Sequence, residues 1–170
     1  MKFKILMTAF ATTLIATTTF ASGDHGSGHH DNKGTIGQPG NAAKVTRTIT
    51  VDMTDAMRFT PANISVKQGE TIKFIAKNSG TIKHEMVLGT DKELKEHYEI
   101  MKKFPEMEHA DENMVTVQPG KSGEIIWQFT KTGKINFACL QPGHYDAGMK
   151  GAVTVSGKAK SLDNHSTHKH

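Results

Sequence analysis

The chain has 170 residues, of which 36% are hydrophobic and 22% are charged, and its mean hydropathy is -0.45. These values predict one globular domain and exclude a large multidomain enzyme. The formal net charge is +4 and falls to +2, with 19 basic against 17 acidic residues, once Lys2 and Lys4 of the N-terminal segment are left out. The sequence has no run of Lys or Arg, so nucleic-acid binding is not expected.

The first 21 residues have the pattern of an export signal. Lys2 and Lys4 give a basic start, an apolar run from Ile5 to Phe20 follows, and a small-x-small cleavage site ends at Ala21. The apolar run is short and contains many threonines, which argues against an uncleaved membrane anchor. We therefore expect cleavage after Ala21, a periplasmic mature protein, and no membrane insertion after cleavage.

Two polar segments flank the expected folded domain. Residues 22–42 and 157–170 are rich in Gly, Ser, His, Asp and Asn, so neither segment can bury enough apolar surface to fold. We predict flexible tails there and a folded domain over residues 43–156. The histidines of these tails are His25, His29 and His30 on the N-terminal side and His165, His168 and His170 on the C-terminal side.

The expected domain is rich in strand patterns. Apolar residues alternate over residues 45–51, 64–66 and 72–76. Further strand-like runs lie at residues 84–88, 114–117, 124–129, 134–139 and 152–155. About eight short strands separated by Gly and Pro predict an all-β fold, an antiparallel sandwich or barrel.

One segment has helical periodicity instead. Leu94, Tyr98 and Met101 stand at i, i+4 and i+7 among Lys and Glu residues, and Pro105 ends the pattern. The spacing predicts an amphipathic helix over residues 91–104, within an insertion of about 91–112 between strands. At this spacing we expect Met101 to pack on the sandwich.

Metal-binding residue types concentrate near the C-terminal end of the domain. Cys139, His144 and Met149 form a Cys-x4-His-x4-Met pattern on one predicted loop, whose glycines permit the bends that turn all three inward. Two histidines and a thiolate with a long axial Met are the ligands of type 1 copper. His84, which follows a strand and a loop far upstream, is the candidate for the second histidine. With a single cysteine, no intramolecular disulfide can form.

The run from Cys139 to Gly151 resembles the ligand loop of the cupredoxins, in particular azurin, rusticyanin and the bacterial periplasmic copper-tolerance cupredoxins. The resemblance covers about residues 45–155 and implies a Greek-key β-sandwich with one type 1 copper ion at one end. The residues that match the family's ligands are His84, Cys139, His144 and Met149. The sequence departs from the family at Glu85, where azurin-like proteins usually have an Asn that helps tie the two ligand loops together. A carboxylate so close to the metal would hold the loop differently or favour Cu(II).

Several enzyme classes are excluded by the residues around the cysteine. Ala138 and Leu140 flank Cys139, where a multicopper oxidase needs histidines, and a binuclear copper centre needs a second cysteine. The Gly120–Ser122 run lacks the rest of a phosphate-binding loop and indicates a hairpin turn. A hydrolytic pair of Cys139 and His144 has no third orienting group. We expect a protein that is not an enzyme, with oxidation of Cu(I) left open as a side activity.

Three physiological roles fit these residues. A soluble one-electron carrier needs the copper centre and a docking surface around His144, which is the expected exit for electrons. A copper-tolerance protein would carry further metal-catching side chains, and a Cu(I)-oxidising protein would combine both features. The accessory candidates are Met107, His109 and Met114 after the helix, and His25, His29 and His30 in the N-terminal tail. We expect copper tolerance first, the electron carrier as the alternative, and a monomer whose partners are copper ions and a redox protein.

Overall fold

The computed structural model describes residues 37–107 and 110–157. The predicted export signal, the six tail histidines and His109 lie outside the described residues. No helix in the two described ranges is long and apolar enough to cross a membrane.

The described residues form two five-stranded sheets. The first sheet has the order β1 (Gln38–Pro39), β8 (Ser122–Gln128), β5 (Thr71–Asn78), β2 (Arg47–Thr54) and β3 (Arg58–Thr60). The second sheet has the order β4 (Asn63–Lys67), β10 (Lys150–Ser156), β9 (Gly133–Ala138), β6 (His84–Gly89) and β7 (Met114–Val117). Both sheets are mixed, because β2 pairs with β5 and β4 pairs with β10 in parallel while the other pairs are antiparallel.

Apolar side chains of both sheets form the core. Along β4 and β8 every second residue points inward, as a half-buried strand requires, whereas β6 is buried on both faces. Two pairs of aromatic rings pack in the core. Phe59 of the first sheet contacts Phe137 of the second with ring centroids 5.0 Å apart, and the ring centroids of Phe74 and Phe129 are 6.2 Å apart. The predicted all-β sandwich is confirmed, and all eight predicted strands are present. The short strands β1 and β3 are additional.

The position of β1 corrects the predicted start of the domain. Gln38 and Pro39 fall inside the predicted N-terminal tail, yet they pair with Gln128 and Trp127 of β8. Composition suggested a tail because the segment has few apolar side chains. Backbone pairing needs none, and Gly37, at φ 119°, adopts a conformation that favours glycine.

The predicted helix is present as α1 (Asp91–Lys103). A short 3-10 helix, Ala42–Lys44, lies separately between β1 and β2. Thr90 and Glu93 form a capping box at the start of α1, and Phe104, which precedes Pro105, caps its end. Leu94, Tyr98 and Met101 are buried together against the outer side of the second sheet, as their spacing predicted. The helix therefore covers β6 and β9, the two strands that lead to the predicted metal site.

Candidate metal centre

Three predicted ligands converge at one end of the sandwich. The Cys139 Sγ atom and one ring nitrogen from each of His84 and His144 all lie within 4.8 Å of one another. The Nδ1 atoms of the two histidines are 3.2 Å apart, and the Sγ atom is 3.3 Å from Nδ1 of His144. His84 and Cys139 are fully buried, whereas His144 is half-buried. His144 is therefore the most accessible of the three.

Backbone hydrogen bonds fix the loop that joins β9 to β10 and carries Cys139, His144 and Met149. The N–H of Cys139 donates to the carbonyl of Met149 at 3.1 Å, and the N–H of Met149 donates to the carbonyl of His144 at 3.0 Å. Gly143 and Gly148 have φ values of 85° and 90°, a region that favours glycine, so the bends expected from these two residues are present.

Met149 lies next to this cluster in the fold. It is fully buried and belongs to the same core cluster as Cys139. The carbonyl that it offers to Cys139 brings the two ends of the ligand loop together. Its assignment as the axial ligand remains a prediction from the sequence pattern.

Asp55 is a site residue that the sequence analysis missed. It lies in the turn between β2 and β3, and its Oδ1 atom is 3.1 Å from Nε2 of His84. A carboxylate only accepts hydrogen bonds, so this contact assigns the proton of the His84 ring to Nε2 and turns the Nδ1 lone pair toward Cys139 and His144. No local signal could have found Asp55, because only the fold brings the β2–β3 turn beside β6.

The loop before β6 holds Asp55 in place. The N–H and the hydroxyl of Thr81 each donate to Oδ2 of Asp55 at 2.7 Å. These bonds, those from the Thr81 side chain first, lower the pKa of the Asp55 carboxyl to about 2. A Cβ atom on Gly80 would clash with Oδ1 of Asp55, so a side chain at position 80 would displace the carboxylate.

Glu85 ties the strand β6 to the ligand loop. Its Oε1 atom accepts from the N–H of Leu140 at 2.8 Å, and its Oε2 atom accepts from the side-chain amide of Gln141 at 3.3 Å. Its own N–H donates to the Cys139 Sγ atom at 3.4 Å. Glu85 is 2% exposed. A carboxylate thus joins the two segments here, the task that the resemblance assigns to an Asn.

The helix α1 holds the ligand loop from the other side. The Tyr98 hydroxyl accepts from the N–H of Gly143 at 3.0 Å and donates to Asp146 Oδ2 at 2.8 Å. The Tyr98 ring also stacks on Tyr145 with centroids 4.9 Å apart, and Lys150 lies over the Tyr145 ring. The inserted helix is therefore a support for the loop on which His144 lies.

Burial sets the protonation of the cluster in the metal-free protein. Removal from water raises the pKa of the Cys139 thiol to about 12, because a thiolate is poorly solvated there. Burial, followed by the nearby His84, lowers the pKa of His144. At neutral pH the cluster thus holds a neutral thiol and a neutral His144, and a metal ion must displace the thiol proton to bind the sulfur.

These donors fit copper. A buried sulfur and two imidazole nitrogens that face one another combine the soft ligand that Cu(I) prefers with ligands that suit both oxidation states. The cluster lies at the rim of the sandwich and is shielded from water except on the His144 side.

Comparison with known proteins agrees with this donor set. Residues 45–156 match the family model of copper-binding proteins of the plastocyanin/azurin family. The chain is 52% identical over 151 residues to the copper-resistant cuproprotein CopI of Rubrivivax gelatinosus, covering 86% of this chain and 90% of that protein. It is 38% identical to the CopI protein of Pseudomonas aeruginosa, covering 71% of this chain and 82% of that protein.

A solved structure supports the fold. A reduced auracyanin from Roseiflexus castenholzii superposes with a TM-score of 0.56 at 24% identity, covering 66% of this chain and 98% of that one. By the match of residues 45–156, this chain belongs to the plastocyanin/azurin family of copper-binding proteins.

Proposed function

We propose that the protein is a periplasmic type 1 copper protein that cycles between Cu(II) and Cu(I) and serves copper tolerance. The observation that carries the proposal is the convergence of the Cys139 sulfur with the facing Nδ1 atoms of His84 and His144 in a buried site. With Met149 as the axial ligand, this set is the type 1 arrangement.

The residues around the cluster suit a site that changes oxidation state with little movement. Asp55 fixes the ring of His84, Glu85 holds the backbone beside Cys139, and Tyr98 holds the loop of His144. Copper supplies the one-electron couple when it is bound. A rigid set of ligands lowers the rearrangement that accompanies the transfer of an electron, and His144, as the accessible ligand, is the exit that we propose.

The names of the relatives support copper tolerance over other roles. Both CopI proteins are called copper-resistant cuproproteins, and they align with most of this chain. The predicted export signal supports a periplasmic location, where an exported protein would meet excess copper. A soluble one-electron carrier is the second candidate, and the half-buried position of His144 beside the surface favours it.

Copper titration of the purified protein tests the centre. We expect the intact protein to bind Cu(II) with an intense visible band from thiolate charge transfer, and Cys139→Ala to abolish that band. Met149→Leu should retain the band but change the reduction potential. An unchanged visible spectrum in Cys139→Ala would exclude the type 1 assignment.

Growth of a deletion strain distinguishes the two roles. A copper-tolerance protein predicts sensitivity to added copper under aerobic growth, restored by the intact gene and not by a Cys139→Ala gene. An electron carrier predicts the loss of a respiratory activity at low copper. Normal copper survival together with that respiratory loss would reject the copper-tolerance role.

A further inference from the structure

A second group of metal-binding residue types surrounds a pocket on the helix side of the second sheet. The pocket has a volume of about 240 Å³, and its walls include Met107 and Met114. Glu85, Gln141 and Lys83 also line it. Residues alternate across a strand, so Glu85 faces this pocket while His84, its neighbour on β6, faces the metal centre.

The two methionines border the pocket in different ways. Met107 follows the end of α1, where its N–H donates to the carbonyl of Phe104, and it is 39% exposed. Met114 begins β7 and is 8% exposed. Met114 belongs to the apolar cluster around α1. Met107 is one of the exposed large apolar residues, so core packing does not explain why a methionine stands at position 107.

The charges of the pocket select for soft ions. The carboxylate of Glu85 and the ammonium of Lys83 offset each other, and the amide of Gln141 is neutral. A hard divalent cation therefore gains little there. Thioethers bind Cu(I) in preference to such cations, because both the ligand and the ion are soft.

We propose that this pocket binds Cu(I) through the thioethers of Met107 and Met114, with Glu85 in its lining. The biological purpose of the pocket rests on the proposed role in copper tolerance, while binding itself does not depend on the type 1 assignment. Glu85 gives the pocket a direct link to the centre, because its carboxylate accepts from Leu140 and its N–H donates to the Cys139 sulfur. Glu85 alone would thus separate copper in the pocket from the type 1 centre.

Anaerobic titration of the full mature chain tests the proposal. The protein is first given one equivalent of copper and reduced, so that the type 1 centre is filled, and further Cu(I) is added against a chromophoric Cu(I) chelator. We expect the double variant Met107→Leu with Met114→Leu to retain one equivalent of Cu(I) fewer than the intact protein in competition with the chelator. Met101→Leu is the matched control, since Met101 lies in the same cluster and does not line the pocket, and it should retain the intact number.

Methyl NMR of methionine-labelled protein supplies a second readout. The resonances of Met107 and Met114, assigned from the single Leu variants, should shift with the second equivalent of Cu(I) and not with Zn(II). Equal Cu(I) retention by all three proteins overturns the proposal, as do methyl resonances that stay fixed or that move equally with Zn(II). The visible band of the Cu(II)-loaded variants reports on the type 1 centre separately, so a failed pocket leaves that assignment standing.

Discussion

Asp55 acts on the centre through a single imidazole. Its hydrogen bond to Nε2 of His84 places partial negative charge behind a predicted ligand, which raises the donor strength of the ring and favours Cu(II). The pKa of about 2 means that the carboxyl is ionised at ordinary pH, and the contact weakens only as the pH falls toward that value.

Asp55→Asn should therefore raise the reduction potential. A neutral amide places less negative charge behind the His84 ring than the carboxylate does, so Cu(II) loses more stabilisation than Cu(I). Redox titration of the visible band measures the change. Asp52→Asn is the control, because Asp52 lies three residues earlier on β2 and accepts from the Ser79 hydroxyl instead of His84, and it should leave the potential nearly unchanged. Equal potentials in Asp55→Asn and the intact protein would contradict the positioning role.

Glu85 acts on both the charge and the shape of the centre. Glu85→Gln removes a buried negative charge beside Cys139, so we expect a higher reduction potential, since Cu(II) loses more stabilisation than Cu(I). The new amide would also face the amide of Gln141, and the loss of one acceptor should lower the free energy of unfolding by about 1–3 kcal/mol.

Voltammetry and urea unfolding measure these two effects of Glu85→Gln. Glu124→Gln is a suitable control, because Glu124 forms an exposed ion pair with Lys73 on the first sheet and not a contact with the ligand loop. A variant with the intact potential would show that the Glu85 charge does not act on the metal.

Among the secondary-structure elements, α1 stabilises the loop that carries Cys139, His144 and Met149. Tyr98→Phe keeps the buried ring but removes the hydroxyl that Gly143 and Asp146 share. We expect a loss of about 1–3 kcal/mol in the free energy of unfolding, because the Gly143 N–H loses its acceptor. Tyr145→Phe preserves the ring stack and both of those bonds, so it should cost less. If urea unfolding gives equal losses, the hydroxyl does not brace the loop.

The sequence predicted the elements well because their signals are local. Strand alternation, the spacing of Leu94, Tyr98 and Met101, and the Cys-x4-His-x4-Met run each lie within a short stretch of chain. The parts that were missed are pairings between distant segments. β1 has too few apolar side chains to give an alternating strand pattern in the sequence. Asp55 reaches His84 only after the two sheets have packed together.

For the whole molecule, we expect the tails and the segment after α1 to determine how much copper one chain binds beyond the type 1 centre. We propose that His25, His29 and His30, with Met107, His109 and Met114, hold additional copper weakly. Because β1 belongs to the sandwich, truncation should remove only residues 22–36 and 158–170. The truncated protein should bind fewer copper ions than the intact protein and keep the same visible band, since imidazole alone gives no thiolate transition.

Copper titration and survival on copper plates compare the truncated protein, a Met107/His109/Met114 variant and the intact chain. A single bound copper and equal protection in every version would exclude accessory sites. The electron-carrier role would then gain support.

The distance along the chain between the two histidines has a consequence for stability. His84 and His144 are 60 residues apart in sequence, and a metal ion held by both closes that stretch into a ring. A closed ring restricts the unfolded chain in the manner of a disulfide, and such restriction grows with the length enclosed. Copper held by both histidines would thus give a protein with one cysteine a removable cross-link, and its resistance to heat and proteolysis would rise with the copper concentration.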